Sequence, residues 1–585
     1  MRPDDKCRLP DAVTRFNRET FSYRDRFTCI GLGSLGAKAG GLANIKELLE
    51  IQIAPSFKPA IQIGIPFLTV IATEFFDIFL ELNDLFAVTS STFSDEQVID
   101  VFQEAQLPAQ LVADLRAFVA KIQTPLAIRS SSLLEDAMRE PFAGVYATKM
   151  IPNNQSDLEA RLWALTSAVK YVYASAFLKK AQDYLRASGH SLGDEKMAVI
   201  IQEVVGACHN ARFYPDISGV ARSFNFYPLG LARPDDGVVA LALGLGKAIV
   251  EDGIAWHFSP AYPQANPPYG ASRDLLKMTQ KYFWAIDMRV AEENRVTGEI
   301  EHLEKHPLAD AEQDGTLSSI ASTYKAEDEK IVIGIGDSGP RILDFAPILK
   351  ANLAPLPELL KELLKCCGES LGTMVDIEFA VTLSHPSVFP IRFGFLQVRP
   401  MVASYSPVEV RIEELSRRDV LVATKSALGN GILSICDVVH VKPKTFEAKH
   451  SHRIGLELET INRKLVNDKA QYVLIGIGRW GSSDPSAGIP VNFGQISGAR
   501  AIVETTSPGI DFILSQGTHF FHNVTSLRVL YFSVSHTGNY SVDWEWLERQ
   551  PIIDETEFIR HVRLPSPLSI RVDGRTSQGV ILKRA

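Results

Sequence analysis

Between Val375 and Met401 the chain reads VDIEFAVTLSHPSVFPIRFGFLQVRPM. Two runs rich in β-branched and aromatic residues flank a Ser384-His385-Pro386-Ser387 turn region, which is the pattern of a β-hairpin. Side chains alternate faces along a strand. Asp376 and Glu378 therefore share one face, and Val375, Ile377 and Phe379 share the other. On the return strand Gln397 and Arg399 share a face, with Leu396 and Val398 opposite. A register that superposes the two polar faces gathers two carboxylates, an amide and a guanidinium into one patch. Carboxylate oxygens can hold Mg²⁺, and an arginine fork can grip phosphate. The same four residues also suit a salt-bridged solvent face.

A chain of 585 residues is too long for one core and implies roughly three or four units. Hydrophobic residues at 46% and charged residues at 22% fit an ordinary globular protein. A net charge of -9 gives no bulk attraction to nucleic acid. The cysteines (Cys7, Cys29, Cys208, Cys366, Cys367, Cys436) form no Cys-x-x-Cys pair, which favours a reducing compartment and argues against structural zinc. The first residues are charged and lack the apolar core of a secretion signal, and no apolar run reaches ~18 residues. The expectation is a soluble, cytoplasmic protein without nucleic-acid or membrane partners.

In chain order, residues 1–26 read as an N-terminal arm. An apolar strand from Phe27 to Ile30 runs into a glycine turn and then a helix from about Gly41. Gly31, Gly33 and Gly36 satisfy G-x-G-x-x-G, but the next strand-like run, Ile51 to Ala54, lacks the acidic end that a dinucleotide site needs. Lys38 lies in the glycine loop, suited to nucleotide phosphates or simply exposed on a flexible turn. A strand and a helix beginning near Thr73 follow, then a helical stretch from Ser94 to Phe118. The short strand Leu126 to Ile128 ends at Arg129, beside Ser130, Ser131 and Ser132. That arginine suits anionic oxygens, or an ion pair with Glu135 or Asp136. A long helix spans Asp157 to Ala187, capped by Asn154 or Ser156.

Strands follow at Lys196 to Val205, Ile217 to Phe226 and after Asp236, the last leading into a second glycine loop, Gly244-Leu245-Gly246, with Lys247 and Glu251 after it. Asp274 to His306 reads as helical and Leu308 to Glu329 as irregular. Beyond a boundary between Ala403 and Pro407, short β segments dominate. There Arg479, Ser482, Ser483 and Asp484 suit either an anion site or a glycine-bounded turn. His519 and His522, with Asn523, fit a core or surface role better than a metal site.

Taken in order, several stretches resemble the N-terminal nucleotide-binding domain of phosphoenolpyruvate synthase and pyruvate phosphate dikinase. Gly36 to Leu42 is similar to that family's GGKGANL loop, and Ile65 to Phe75 to its PPGFVVTTEAF segment. Ile128 to Gly144 resembles VRSSATAEDxxxxSFAG. Ile200-Ile201-Gln202 and Ser218-Gly219-Val220 echo its VVVQxMV and SGV, and Gly244 to Gly253 its GLGEAVVxG. Asp376 to Ala380 with Leu396 to Pro400 corresponds to DIEWA…LQARP.

The resemblance implies an α/β, two-lobed ATP-grasp fold followed by a β-rich α+β domain. On that reading residues 27–195 form the first lobe, 196–403 the second lobe with the hairpin, and 408–585 the C-terminal domain. It implies ATP and Mg²⁺ as cofactors. Lys38 and Arg129 would hold phosphates, and Gln202 would lie near adenine. Gly244 and Gly246 would line the nucleotide. Glu378 and Gln397 would sit on the metal side. Asp376 would orient the site, and Arg399 would stabilise the phosphoryl group in flight. Arg399, Arg129 and Lys38 are thus the candidate catalytic residues.

Two departures stand out. Lys247 replaces the glutamate of GLGE. The family's T-S-H-A carrier histidine and its pyruvate barrel are not found in this sequence. The implied function is Mg-dependent phosphoryl transfer from ATP to a histidine or other acceptor, on a partner protein or a small molecule. A non-catalytic ATP-sensing module and an ATP-grasp ligase are the alternatives.

Overall fold

The computed structural model describes residues 9–85, 93–132, 145–188, 195–225, 232–249, 255–265, 276, 279–289, 298, 301–383, 390–401, 408–481, 488–491, 493–506, 529–536, 538, 540–574 and 576–583. Glu135, Asp136, the Phe142–Gly144 run, the Ser384–Ser387 turn, Glu251, Ser482 to Asp484, His519, His522 and Asn523 lie outside them. Apart from short segments, the chain divides into one unit ending at Pro400 and another beginning at Met401. Among the described residues no helix is long and apolar enough to cross a membrane.

The first unit is a mixed α/β body. One six-stranded sheet runs β1 (Thr14–Arg15), β2 (Phe27–Ile30), β4 (Leu68–Ile71), β7 (Met197–Glu203), β5 (Leu126–Ser132), β6 (Thr148–Ile151). A second runs β12 (Trp256–Phe258), β11 (Val238–Ala242), β10 (Ile217–Arg222), β18 (Val375–Thr382), β19 (Ile391–Pro400), β3 (Ile61–Gly64). Smaller sheets join β14 (Leu303–Pro307), β13 (Tyr282–Asp287), β9 (Arg212–Tyr214) and β8 (Ala207–His209), and β16 (Lys330–Ile333), β15 (Ser322–Lys325) and β17 (Arg341–Ile342). The two large sheets exchange chain. β7, read from sequence as second-lobe, pairs with β4 and β5, while β3 from the first segment pairs in parallel with β19. This ties the sheets together by covalent connection as well as by packing.

Several local expectations are corrected. Of the expected N-terminal arm, the described residues 9–26 pack onto the body: β1 pairs with β2, and Val13 and Phe21 are buried. The first helix starts at Gly36, not Gly41, so Lys38 sits in its first turn. Ser34 and Ser131 hydroxyls accept from the Gly36 and Ala39 N–H groups at 3.1 Å each, satisfying early amides and allowing the earlier start. The Ile51 to Ala54 strand is helical, within Leu48–Ile53 and Ala54–Phe57. Leu49 and Ile53, four apart, are buried while Ile51 between them is 64% exposed, a helical rather than alternating pattern.

The Ser94–Phe118 stretch is two helices, Asp95–Glu104 and Ala109–Lys121, separated at Pro108. The next helix is capped by Asp157, whose carboxylate accepts from the Glu159 and Ala160 amides, and it breaks into Leu158–Ser175 and Lys179–Ser188. Part of the expected Asp274 to His306 helix is the β13–β14 pair instead. Phe283, Ala285 and Ile286 are buried there. The stretch expected to be irregular holds the helix Leu308–Gln313 and β15.

The second unit is built on one nine-stranded sheet. Its path is β20 (Val420–Thr424), β30 (Gln578–Leu582), β29 (Ile559–Asp573), β22 (Gly431–Val441), β23 (Tyr472–Ile477), β26 (Ala499–Thr505), β27 (Leu530–Val534), β21 (Ala427–Leu428), with β28 (Ile552–Glu555) on β29. β24 (Arg479–Trp480) and β25 (Gly488–Ile489) form a small pair. The sequence reading finds β segments here but not β21, β28 or β30, and it leaves their sense open: β22, β23, β26 and β27 are mutually parallel. It also misses the crossover helix Ser451–Asn467, which buries Ile454, Leu458, Ile461 and Leu465 at helical spacing.

One buried group makes this unit acid-sensitive. His440 on β22 is 1% exposed. Its Nδ1 lies 3.3 Å from the Val441 carbonyl, and its Nε2 meets no hydrogen-bond partner among the described residues. Burial, aided by the Arg560 charge, pushes its pKa down from 6.5 to about 4. Above pH 6.5 the ring is neutral folded and unfolded, so its contribution to stability is flat. Between 6.5 and 4 only the unfolded chain takes the proton. The His440 contribution to stability should therefore fall by up to about 1.4 kcal/mol per pH unit, roughly 3 kcal/mol in all, and level off below 4. Hydrogen exchange of the β22 and β29 amides against pH should show this slope, and His440→Phe should flatten it.

Candidate functional site

The cluster is built on facing elements of the first unit. Gly31, Gly33 and Gly36 all have positive φ (85°, 99° and 73°). That lets the turn fold back onto the helix Thr73–Leu82. Leu32 N–H donates to Glu74 Oε2 at 2.7 Å, and Ser34 N–H to Thr73 Oγ1 at 3.0 Å. The turn thus delivers the helix Gly36–Glu47 against β5. Lys38, 9% exposed, donates from Nζ to Ser130 Oγ at 3.2 Å. Ser131 Oγ donates to the Leu35 carbonyl at 2.8 Å. On the other side Gly41 faces the Val398 carbonyl, and a Cβ there would stand 3.2 Å from it. One helix therefore touches both the serine strand and the return strand of the hairpin.

The hairpin has the register that superposes its polar faces. Asp376 pairs with Arg399, and Glu378 with Gln397. An irregularity between Glu378 and Phe379 shifts the register beyond that point, so Phe379 pairs with Phe395. Arg129 reaches across from β5 to meet this face. Its Nη2 donates to Glu378 Oε2 at 3.0 Å and to Gln397 Oε1 at 2.8 Å. Its Nη1 donates to Gln202 Oε1 and to the Leu396 carbonyl, each at 3.3 Å. Gln202, read from sequence as near adenine, thus stands against the Arg129 guanidinium, 2% exposed.

The second row of the face carries more charge. Arg399 donates from Nε and Nη2 to Asp376 Oδ2 at 3.1 and 2.7 Å, with the carboxylate side chain 1% exposed. Arg222 of β10 lies directly across from Asp376 in register, its Nε 3.8 Å from the same oxygen. The sequence reading passes over Arg222. The alternation Ser218, Val220, Arg222 places it on one face of β10, but only strand pairing reveals which residues share that face.

The second glycine loop sits at the far end of the same strands. The Gly244 carbonyl accepts from Ser218 Oγ at 2.6 Å, and Leu245 N–H donates to the Trp284 carbonyl at 2.9 Å. Gly244 has φ 82°, and a Cβ there would meet that Trp284 carbonyl at 2.6 Å. Gly246 is open, its nearest neighbour being Ser218 Cβ at 3.9 Å. Lys247 Nζ lies 5.3 Å from the Trp284 ring centroid, on which Lys305 also stacks at 5.6 Å.

Among the described residues no group of three or more His, Cys, Asp and Glu side chains could hold a metal. Glu378 Oε2 and Gln397 Oε1 nevertheless converge on one cationic nitrogen, Arg129 Nη2. Two oxygens aimed at one positive group fit a hard divalent cation that draws its other ligands from phosphate and water. The cluster as a whole sets four basic side chains (Lys38, Arg129, Arg222, Arg399) against two carboxylates, an arrangement that favours a polyanion.

The sequence model of the pyruvate phosphate dikinase AMP/ATP-binding domain matches residues 32–419. That is more than half of the 585-residue chain, and Lys38, Arg129, Gln202, Arg222, Asp376, Glu378, Gln397 and Arg399 all lie within it. The chain belongs to the family of the pyruvate phosphate dikinase AMP/ATP-binding domain.

Proposed function

We propose that the first unit grips ATP in the ATP-grasp manner, between its two six-stranded sheets, and passes a phosphoryl group to an acceptor. The observation that carries this reading is Arg129. It starts on the first sheet and ends among the oxygens of Glu378 and Gln397 on the second. A nucleotide phosphate placed there meets a guanidinium from one side and the hairpin from the other. Lys38 adds an ammonium from the first turn of its helix.

Phosphoryl transfer asks a protein mainly for alignment and charge neutralisation. On this reading Glu378 and Gln397 would hold Mg²⁺, which neutralises phosphate charge when bound. Arg399, oriented by Asp376, would face the oxygens of the group in flight. Arg129 and Lys38 would fix the remaining phosphates, and the Gly244–Gly246 loop the nucleoside end. Gln202 would set the Arg129 guanidinium through its 3.3 Å contact. The acceptor would be a histidine or another nucleophile, on a partner protein or a small molecule.

A second reading has its own observation. Lys247 stands where the family's GLGE glutamate would, stacked on Trp284. That reversal of charge beside the nucleoside suits a module that binds ATP and senses it without turnover. Incubation with ATP labelled at the β and γ positions separates the two. Label leaving either position, at a rate that rises with enzyme, supports transfer. Tight retention of intact ATP supports sensing.

A further inference from the structure

We propose that Arg222 anchors the terminal phosphate of the nucleotide, and so sets the site's preference for a triphosphate over AMP. This rests on the ATP reading above and assigns a residue to it. Arg222 is a side chain with five donors. Yet among the described residues its guanidinium makes no side-chain hydrogen bond, and its nearest ionic partner, Asp376 Oδ2, is 3.8 Å away. That oxygen is already held at 2.7 Å by Arg399. One carboxylate thus lies between two guanidinium groups, and a positive charge is left over. The Arg222 side chain is only 20% exposed. Holding a mostly buried cation without close hydrogen bonds is costly unless an anion completes its shell.

Register fixes which part of the nucleotide would meet it. Along β10 the order is Ser218, Val220, Arg222, opposite Ala380, Glu378 and Asp376. Ser218 holds the second glycine loop through the Gly244 carbonyl. Val220 stands in the row of Glu378 and Gln397, and Arg222 in the row of Asp376 and Arg399. Each step of two residues advances about 7 Å. With the nucleoside at the glycine loop, the first phosphates reach the Glu378 row. Only the longest phosphate chain extends to the row of Arg222 and Arg399, where two forks can share its terminal oxygens.

The test is calorimetric titration of ATP, ADP and AMP with Mg²⁺ into the full chain and its Arg222→Ala and Arg222→Lys variants. Arg222→Ala should weaken ATP about tenfold or more while AMP changes less than about twofold. Arg222→Lys, which restores charge without the fork, should recover part of the ATP affinity. Arg222→Gln serves in place of alanine if that variant does not fold, with the same expectation. Unchanged ATP affinity, or equal losses for all three nucleotides, would overturn the assignment. Failure of the unaltered chain to bind any of the three would remove the ATP reading itself, and this one with it.

Discussion

Arg399→Ala is expected to reduce ATP turnover about 10³-fold or more, the scale associated with an arginine that meets the transferring phosphoryl group. The reasoning is electrostatic. Arg399 is 6% exposed, and its orientation is fixed through two hydrogen bonds to Asp376. A pre-set guanidinium needs no reorganisation as charge develops on the phosphoryl oxygens. Alanine removes that charge and leaves Asp376 in a nearly dry site. Breaking a buried pair costs roughly 3–5 kcal/mol when nothing else is near, but here Arg222 stands 3.8 Å from the same oxygen and limits the loss. The unit should therefore remain folded, as thermal denaturation and retained AMP binding can establish. Arg399→Lys should keep part of the binding but little of the rate, because an ammonium cannot copy the fork. Glu378→Ala should match the alanine variant in turnover, since it removes an oxygen from the group that converges on Arg129. Full ATP turnover in both folded alanine variants would mean that the hairpin is a structural salt-bridged face.

The hairpin is legible in the sequence because its information is local. Period-two alternation alone places Asp376 with Glu378 and Gln397 with Arg399. The pairing that aligns them keeps Asp376 opposite Arg399 and Glu378 opposite Gln397, and the register shifts only beyond Glu378. Arg129 reads as suited to anionic oxygens at a strand end, but the neighbours it meets are not legible there. The sequence offers Glu135 and Asp136 close by, whereas the described geometry sends the guanidinium to residues about 250 positions later.

Long-range choice explains the other differences too. Nothing near Met197 says that its strand will lie between β4 and β5. Nothing near Ile61 says that β3 will leave its neighbours for β19. Arg222 is invisible for the same reason, since its partner is set by the pairing of β10 with β18. Lys38 reads as a loop residue for a different reason. Three glycines argue for a loop, but hydroxyls from Ser34 and Ser131 satisfy the first amides and draw the helix back to Gly36.

That helix start makes Gly36 the most exacting position in the glycine turn, and Gly36→Ala should unfold or displace it. With φ at 73°, an L side chain costs about 1–2 kcal/mol from backbone strain alone. A Cβ there would also land far inside contact distance of the Ser131 carbonyl oxygen. That atom belongs to β5, between β7 and β6, and cannot swing aside as a side-chain tip would. Overpacking of this kind adds about 1–3 kcal/mol, so a total loss near 3 kcal/mol or more is expected. The displaced helix carries Lys38 away from Ser130, so nucleotide affinity should fall with stability. Gly40→Ala is the matched control. Gly40 lies within the same helix, its φ is not positive, and a Cβ there meets nothing within 4 Å. Helix propensity then predicts a gain of about 0.5–1 kcal/mol. Calorimetric unfolding of the two variants should move the first unit's midpoint in opposite directions. Equal behaviour would show that the turn is not held against β5 as the geometry requires.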